Sequence, residues 1–226
     1  MAIVTADHGA LMDDVYRRQR YVYDFTRKYY LFGRDRLIHG LALKPEESVV
    51  EIGCGTARNL IVMARRYPKA VLYGLDASEE MLRSARRAVA HAGLTNRISL
   101  ARGFAEDMTP AIFGRKEPFD RAVFSYSLSM IPNWKQSLKA ASAALSPTGL
   151  VHIVDFGDMT GMGSLGRCLL TLWLQLFHVS PRVEILEKIE SGGTNYLEQI
   201  MRLQLLTARY AFIWQGSRNA AERLSL

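Results

Sequence analysis

The sequence predicts a doubly wound α/β fold built on a mainly parallel sheet, and three observations predict it. Short apolar runs alternate with helix-patterned segments through most of the 226 residues, as in a sheet covered by helices on both faces. The first such run ends in Gly53-Cys54-Gly55 and leads directly into a helical pattern. The second ends in an acidic residue, Asp76, about 20 residues past those glycines.

Taken in order, residues 12–42 read as helical and rich in Tyr and Arg, with Gly33 as the break. Strands are expected at Ser48–Ile52, Val71–Leu75, Ile98–Ala101, Arg121–Ser125 and Leu150–Asp155, each an apolar run bounded by turn formers. Helices fall between them at 57–67, 78–92 and 134–145, and beyond the fifth strand at 164–178 and 182–190. Tyr210–Gln215 reads as a final strand, while Asn195–Leu206 fits helix and strand equally. No repeat, low-complexity tract or Ser/Gly linker divides the chain, so one domain over 1–226 is expected.

Composition narrows the class. With 49% hydrophobic and 23% charged residues, the chain is that of a folded globular protein rather than a disordered one. Its longest apolar stretch, Leu165 to Phe177, is interrupted by Arg167, Thr171 and Gln175. As a helix it spans roughly 20 Å, short of the ~30 Å hydrocarbon core of a bilayer. Asp7, Asp13 and Asp14 precede any Lys or Arg, unlike the basic-then-apolar order of a secretory signal. Cys54 and Cys168 form no Cys-x-x-Cys pair, so no metal is expected and a reducing cytoplasm fits. The net charge of +7 favours an anionic partner, either nucleic acid or a membrane surface.

The chemistry concentrates in two segments. In VVEIGCGTARNL, residues 49–60, a strand carrying Glu51 runs through Gly53, Cys54 and Gly55 into a helix. Glycines at such a turn admit a ligand close to the backbone, and the following helix N-terminus attracts negative charge. The third glycine of the dinucleotide fingerprint is missing. In LYGLDASEEML, residues 72–82, Asp76 closes a strand and can accept both hydroxyls of a ribose. Ser78 suits an N-cap, whereas Asp76 has no such local duty.

EIGCGTA, LDAS, GFAED and FSYSLSMI, in this order and spacing, resemble the class I methyltransferases over essentially the whole chain. The resemblance implies a Rossmann-like, seven-stranded sheet and S-adenosyl-L-methionine as cofactor. It implies that Glu51, Gly53, Cys54 and Gly55 surround the methionine part, that Asp76 holds the ribose, and that Ala77 and Met81 pack on the adenine. Gly103, Phe104 and Ala105 would bound the adenine edge, and Ser125 with Tyr126 would face the sulfonium. Most small-molecule members carry Asp where Phe104 stands, which shifts the adenine acceptor to Glu106 or Asp107.

The acceptor is read from elsewhere, since a fold does not set a substrate. The Asn/Asp-Pro-Pro-Tyr motif of nucleic-acid methyltransferases is absent, and Ser125-Tyr126-Ser127-Leu128 stands in its place, so no nucleic-acid partner is expected. Tyr16, Gln19, Tyr23, Thr26 and Tyr30 form one aromatic-polar stripe on the first helix, with Arg17, Arg18, Arg20, Arg27 and Lys28 beside it. An N-terminal helix over the cofactor mouth is a common lid in small-molecule methyltransferases, which assigns that role to 1–42 and the catalytic core to 43–226. Tyrosine faces attract ammonium and sulfonium cations, so Tyr23 and Tyr30, with Tyr126 opposite, are the expected positioning groups, and Tyr23 a cofactor contact as well. Residues 13–38 resemble the start of bacterial betaine-lipid N-methyltransferases, which trimethylate diacylglyceryl-homoserine. YDFTRKYYLFGRDRLI within them also resembles, more loosely, the start of quinone C-methyltransferases. A lipid substrate met peripherally at an anionic membrane face is therefore expected, with phosphatidylethanolamine or a quinone-like small molecule as the alternatives. The helix at 164–178, apolar over most of its circumference, could be core, an acyl groove or a membrane-facing surface. His152 and His178 read as structural as readily as catalytic.

Overall fold

A computed structural model describes residues 31–175, 179–191 and 202–226. Seven strands form one sheet: β1 (Ser48–Ile52), β2 (Val71–Asp76), β3 (Ile98–Arg102), β4 (Phe119–Ser125), β5 (Leu145–Phe156), β6 (Arg202–Leu205) and β7 (Ala211–Ser217). Their order is β3-β2-β1-β4-β5-β7-β6. The first five are parallel, and β7 runs antiparallel to both β5 and β6. Chain order therefore reverses beside β1, where β2 leaves to one side and β4 lies on the other. A crevice opens at the strands' carboxyl ends at such a switch point.

Seven helices accompany the sheet among the described residues: α1 (Arg34–Gly40), α2 (Arg58–Arg66), α3 (Glu79–His91), α4 (Trp134–Ala143), α5 (Gly163–Gln175), α6 (Val183–Ser191) and α7 (Arg218–Leu224). One face of the sheet is covered by α1, α2, α3 and α5 through Leu37, Leu60, Met63, Leu82, Val89 and Leu174. The other is covered by α4, α6 and α7 through Trp134, Leu138, Ile185, Ile189 and Leu224. β1 shows why the centre reads as a continuous apolar run. All five residues are buried, with Val49 on the first face and Val50 and Ile52 on the second.

Several expectations shift. β5 begins at Leu145 rather than Leu150, because Leu145 pairs with Phe119 before the register shift at Arg121. The 195–206 stretch supplies strand β6 over Arg202–Leu205, and its first part lies outside the described residues. The closing helix α7, unforeseen, is capped by the Ser217 hydroxyl, which accepts from the Ala220 N–H at 3.2 Å. Gly33 does mark a break: it enters α1 at φ 86°, and a Cβ there would meet Leu206 at 2.5 Å. The lid over 1–42 is described only from Leu31 onward.

α5 is neither core nor surface throughout. Leu174 is buried and Leu170 and Trp173 pack partly against the first core. Leu165, Leu169 and Leu172 are 73%, 61% and 57% exposed. No helix among the described residues is long and apolar enough to cross a membrane.

Candidate active site

β1 ends against a loop whose backbone is tied to its neighbour. The Gly53 and Cys54 N–H groups both donate to the Leu75 carbonyl, at 2.8 and 3.0 Å. Gly53 adopts φ +75°, and a Cβ there would stand 2.6 Å from the Ser127 Cβ. The loop thus presses against the residues after β4 so closely that only glycine fits. At α2 the Asn59 amide donates to Glu51 at 2.7 Å, which fixes the buried carboxylate at the strand's end.

Asp76 has local work that the sequence did not disclose. Its carboxylate accepts from the Gly55 N–H at 2.7 Å and from the Ser78 N–H at 2.9 Å. These two bonds hold the carboxylate at the loop. The Ser78 hydroxyl caps α3 as expected, accepting from the Met81 N–H at 3.3 Å. Gly103 follows closely, its N–H donating to the Asp76 carbonyl at 3.1 Å. Ala77, Met81, Gly103, Phe104 and Ala105 therefore gather along the Asp76 side of the loop. Glu106, one of the two expected adenine acceptors, takes a bond from the Asn133 amide at 2.9 Å.

Over the loop opens a cleft of about 880 Å³. Glu51, Gly53, Cys54, Asn59 and Ser125 form its inner wall, and Leu31, Phe32, Leu205 and Leu206 its apolar lip. Arg34, Arg36 and Arg58 line it near its mouth, where Asp35 pairs with Arg58 at 2.6 Å. Burial, with Asp76 and Glu51 nearby, pushes the Cys54 thiol well above its ordinary range, so it lines the wall as a neutral group. The buried Ser125 and Ser127 hydroxyls have no hydrogen-bond partner among the described residues.

Tyr126 does not stand in the cleft. It sits at φ 55° with its ring turned inward, 2% exposed and edge-on to Phe156 at 4.7 Å. Its hydroxyl donates to the Phe32 carbonyl at 2.6 Å, so it holds the lip from behind. Burial, then Tyr210 and Asp155, raise its phenol well above the usual range, and it remains protonated. The expected positioning groups Tyr23 and Tyr30 lie outside the described residues.

Asp155 was not foreseen. It is fully buried at the end of β5, where its carboxylate accepts from the Ser129 N–H at 3.1 Å and the Phe156 N–H at 2.8 Å. Burial raises it to about 6 against these bonds. The only signal in the sequence was an acid closing an apolar strand. His152 lies inside β5, held near 3 by burial and then by Arg121, and is a neutral structural group.

Residues 49–149 match the family described as a methyltransferase domain. The chain is 28% identical over 140 residues to the ubiquinone/menaquinone biosynthesis C-methyltransferase of Geotalea daltonii, covering 59% of this chain and 58% of that protein. It is 34% identical over 104 residues to the trans-aconitate 2-methyltransferase of Streptomyces avermitilis, covering 45% and 36%. It spans about three-fifths of the length of the first quinone-type relatives it matches. Among solved structures, the fold matches a methyltransferase of Thermotoga maritima described as a possible histamine N-methyltransferase. The TM-score is 0.60 at 18% identity, covering 92% of this chain and 99% of that one. The S-adenosylmethionine-dependent methyltransferase SibL matches with a TM-score of 0.64 at 19% identity, over 88% and 58%.

Proposed function

Taking as premise that the chain carries a class I S-adenosylmethionine-dependent methyltransferase domain, we propose that it methylates a lipophilic, quinone-like small molecule. The observation that carries this is the apolar lip, Leu31, Phe32, Leu205 and Leu206, facing the glycine-loop wall across one cleft. A flat apolar acceptor seated against that lip would lie over the loop where the cofactor is held. The quinone C-methyltransferases among the relatives point the same way.

The residues fit the cofactor. Gly53 leaves a cradle that a Cβ would fill, Ser125 offers a buried hydroxyl with no partner among the described residues, and the Asp76 carboxylate is fixed at the loop's edge. S-adenosylmethionine, when bound, supplies an electrophilic methyl on a sulfonium sulfur. The chain's own task is then alignment and exclusion of water. Asp76 would hold the ribose, while Glu51 and Ser125 would face the methionine end. The guanidinium groups of Arg34, Arg36 and Arg58 bias the cleft toward an acceptor that carries an oxyanion, such as an ionised hydroquinone. With the donor bound, methyl transfer would break its sulfonium–methyl bond and release the thioether, and the ring proton displaced by the new carbon–methyl bond would pass to solvent.

A second reading, trimethylation of diacylglyceryl-homoserine, rests on the likeness of residues 13–38 to betaine-lipid enzymes. The relatives reported above are quinone and aconitate methyltransferases instead. The test is transfer of labelled methyl from S-adenosylmethionine to a demethylmenaquinol, to diacylglyceryl-homoserine and to trans-aconitate in parallel. Label is expected in the quinol. Label confined to the homoserine lipid would replace this reading with the second, and label confined to trans-aconitate would remove both.

A further inference from the structure

We propose that the exposed face of α5 docks the protein on an anionic lipid bilayer. Leu165, Leu169 and Leu172 recur at i, i+4 and i+7, so they form one stripe, and all three are more than half exposed. Met162, 37% exposed, extends the stripe at the helix's start. The stripe is held outward by the opposite face, where Leu174 is buried and Leu170 and Trp173 pack on the core. It is not a loose end of the chain.

Charge identifies the occupant. No Asp or Glu occurs from Met159 to Val183, while Arg167 is exposed on the helix itself. The flanking Asp158 is bound by Arg209 at 2.6 Å, which removes its charge from the surface. An apolar stripe with a cation and no anion matches the boundary between acyl chains and acidic headgroups. At 13 residues the helix is suited to lying in that boundary and is too short to cross it. A second copy of the chain fits poorly, because four side chains fall far below the ~20–30 residues per side of a stable protein interface.

The stripe also connects to the cleft. Met159 donates its N–H to the Arg209 carbonyl at 3.0 Å, and a Cβ on Gly161 would stand 2.8 Å from Ala208. The turn that starts α5 is thus packed on the turn that follows Leu205 and Leu206 of the lip. Docking through α5 would bring the lip to the bilayer, where a lipophilic acceptor is dissolved. The docking itself does not depend on which acceptor is used.

The test needs neither cofactor nor acceptor, so its failure leaves the methyl-transfer reading standing. Cys168 lies exposed on α5, whereas Cys54 is buried, so an environment-sensitive fluorophore can be attached to Cys168 alone. On vesicles of phosphatidylglycerol and phosphatidylcholine in equal parts, the label should shift to the blue and the unlabelled chain should co-sediment. Replacing the stripe together, Leu165→Ser with Leu169→Ser and Leu172→Ser, should weaken partition about tenfold or more with the thermal midpoint retained. Partition unchanged in that variant, or no partition of the unaltered chain, would overturn the proposal. Equal partition onto pure phosphatidylcholine would overturn the choice of an anionic surface. A label already blue-shifted without vesicles would show that protein covers the stripe, which also overturns it.

Discussion

Replacing Gly53 by alanine should damage the molecule in two separable ways, and the geometry sets the size of each. The position has φ +75°, which costs an L-residue about 1–2 kcal/mol. The added methyl would stand 2.6 Å from the Ser127 Cβ, and such overpacking costs typically ~1–3 kcal/mol. Together these are about 2–5 kcal/mol, or a fall of roughly 4–20 °C in thermal midpoint for a chain of this size. The two parts are distinguished by Ser127→Gly, which removes the opposing Cβ and leaves φ as it was. In a double-mutant cycle followed by denaturant unfolding, Gly53→Ala with Ser127→Gly should recover the steric part, a coupling of about 1 kcal/mol or more. S-adenosylmethionine affinity, read by titration calorimetry, should fall in Gly53→Ala even where the protein is folded. Strict additivity of the two substitutions, or unchanged stability in Gly53→Ala, would refute the close approach of these loops.

Two further outcomes are expected. Asp76→Asn should remain folded, because the amide oxygen can still accept from one backbone N–H, yet bind S-adenosylmethionine about ten- to a hundredfold more weakly for loss of a charge-assisted bond; unchanged affinity by calorimetry would remove the ribose role. For Asp155, the native value of about 6 lies above the ordinary 3.8, so the native state holds a proton that the unfolded chain releases between those values. Its favourable contribution is complete below about 3.8 and is lost as pH rises through about 6, on the order of 3 kcal/mol in all. His152, held near 3, works in the opposite sense as pH falls, so the comparison must be made against Asp155→Asn. The variant's unfolding free energy should gain on the parent between pH 4.5 and pH 7.5, and a constant difference would count against a buried, protonated Asp155.

What the sequence made legible and what it hid divide along the sheet. β1 through β4 were placed within a residue or two, because each is an apolar run closed by glycine, an acid or a turn. The glycine loop was legible because its identity is set by local backbone demands, and Asp76 because it closes the second apolar run. Asp76's bond to Gly55 was not, since it exists only once β1 and β2 lie side by side. Tyr126 misled because the strand pattern aims it outward, whereas its positive φ turns the ring back into the core. Asp155 and the lip residues Leu205 and Leu206 come together through the antiparallel β5–β7–β6 pairing, a contact at long range that no local pattern records. For α5, periodicity could reveal two apolar faces but not which of them the rest of the chain would cover.

The antiparallel return of β7 between β5 and β6 has a consequence for how this protein could diversify. The family match ends at residue 149, so it contains the glycine loop, Asp76 and Ser125 but none of Leu205, Leu206 or Thr207, nor Leu31 and Phe32. On the proposed reading, the half of the cleft assigned to the donor and the half assigned to the acceptor are written in separate stretches of chain and meet only at the cleft. Exchanging the C-terminal hairpin and the segment before α1 could retune the acceptor while the donor half stays untouched. Inheritance of one half therefore carries little information about the other, and the acceptor is best sought by varying residues that the family match does not reach.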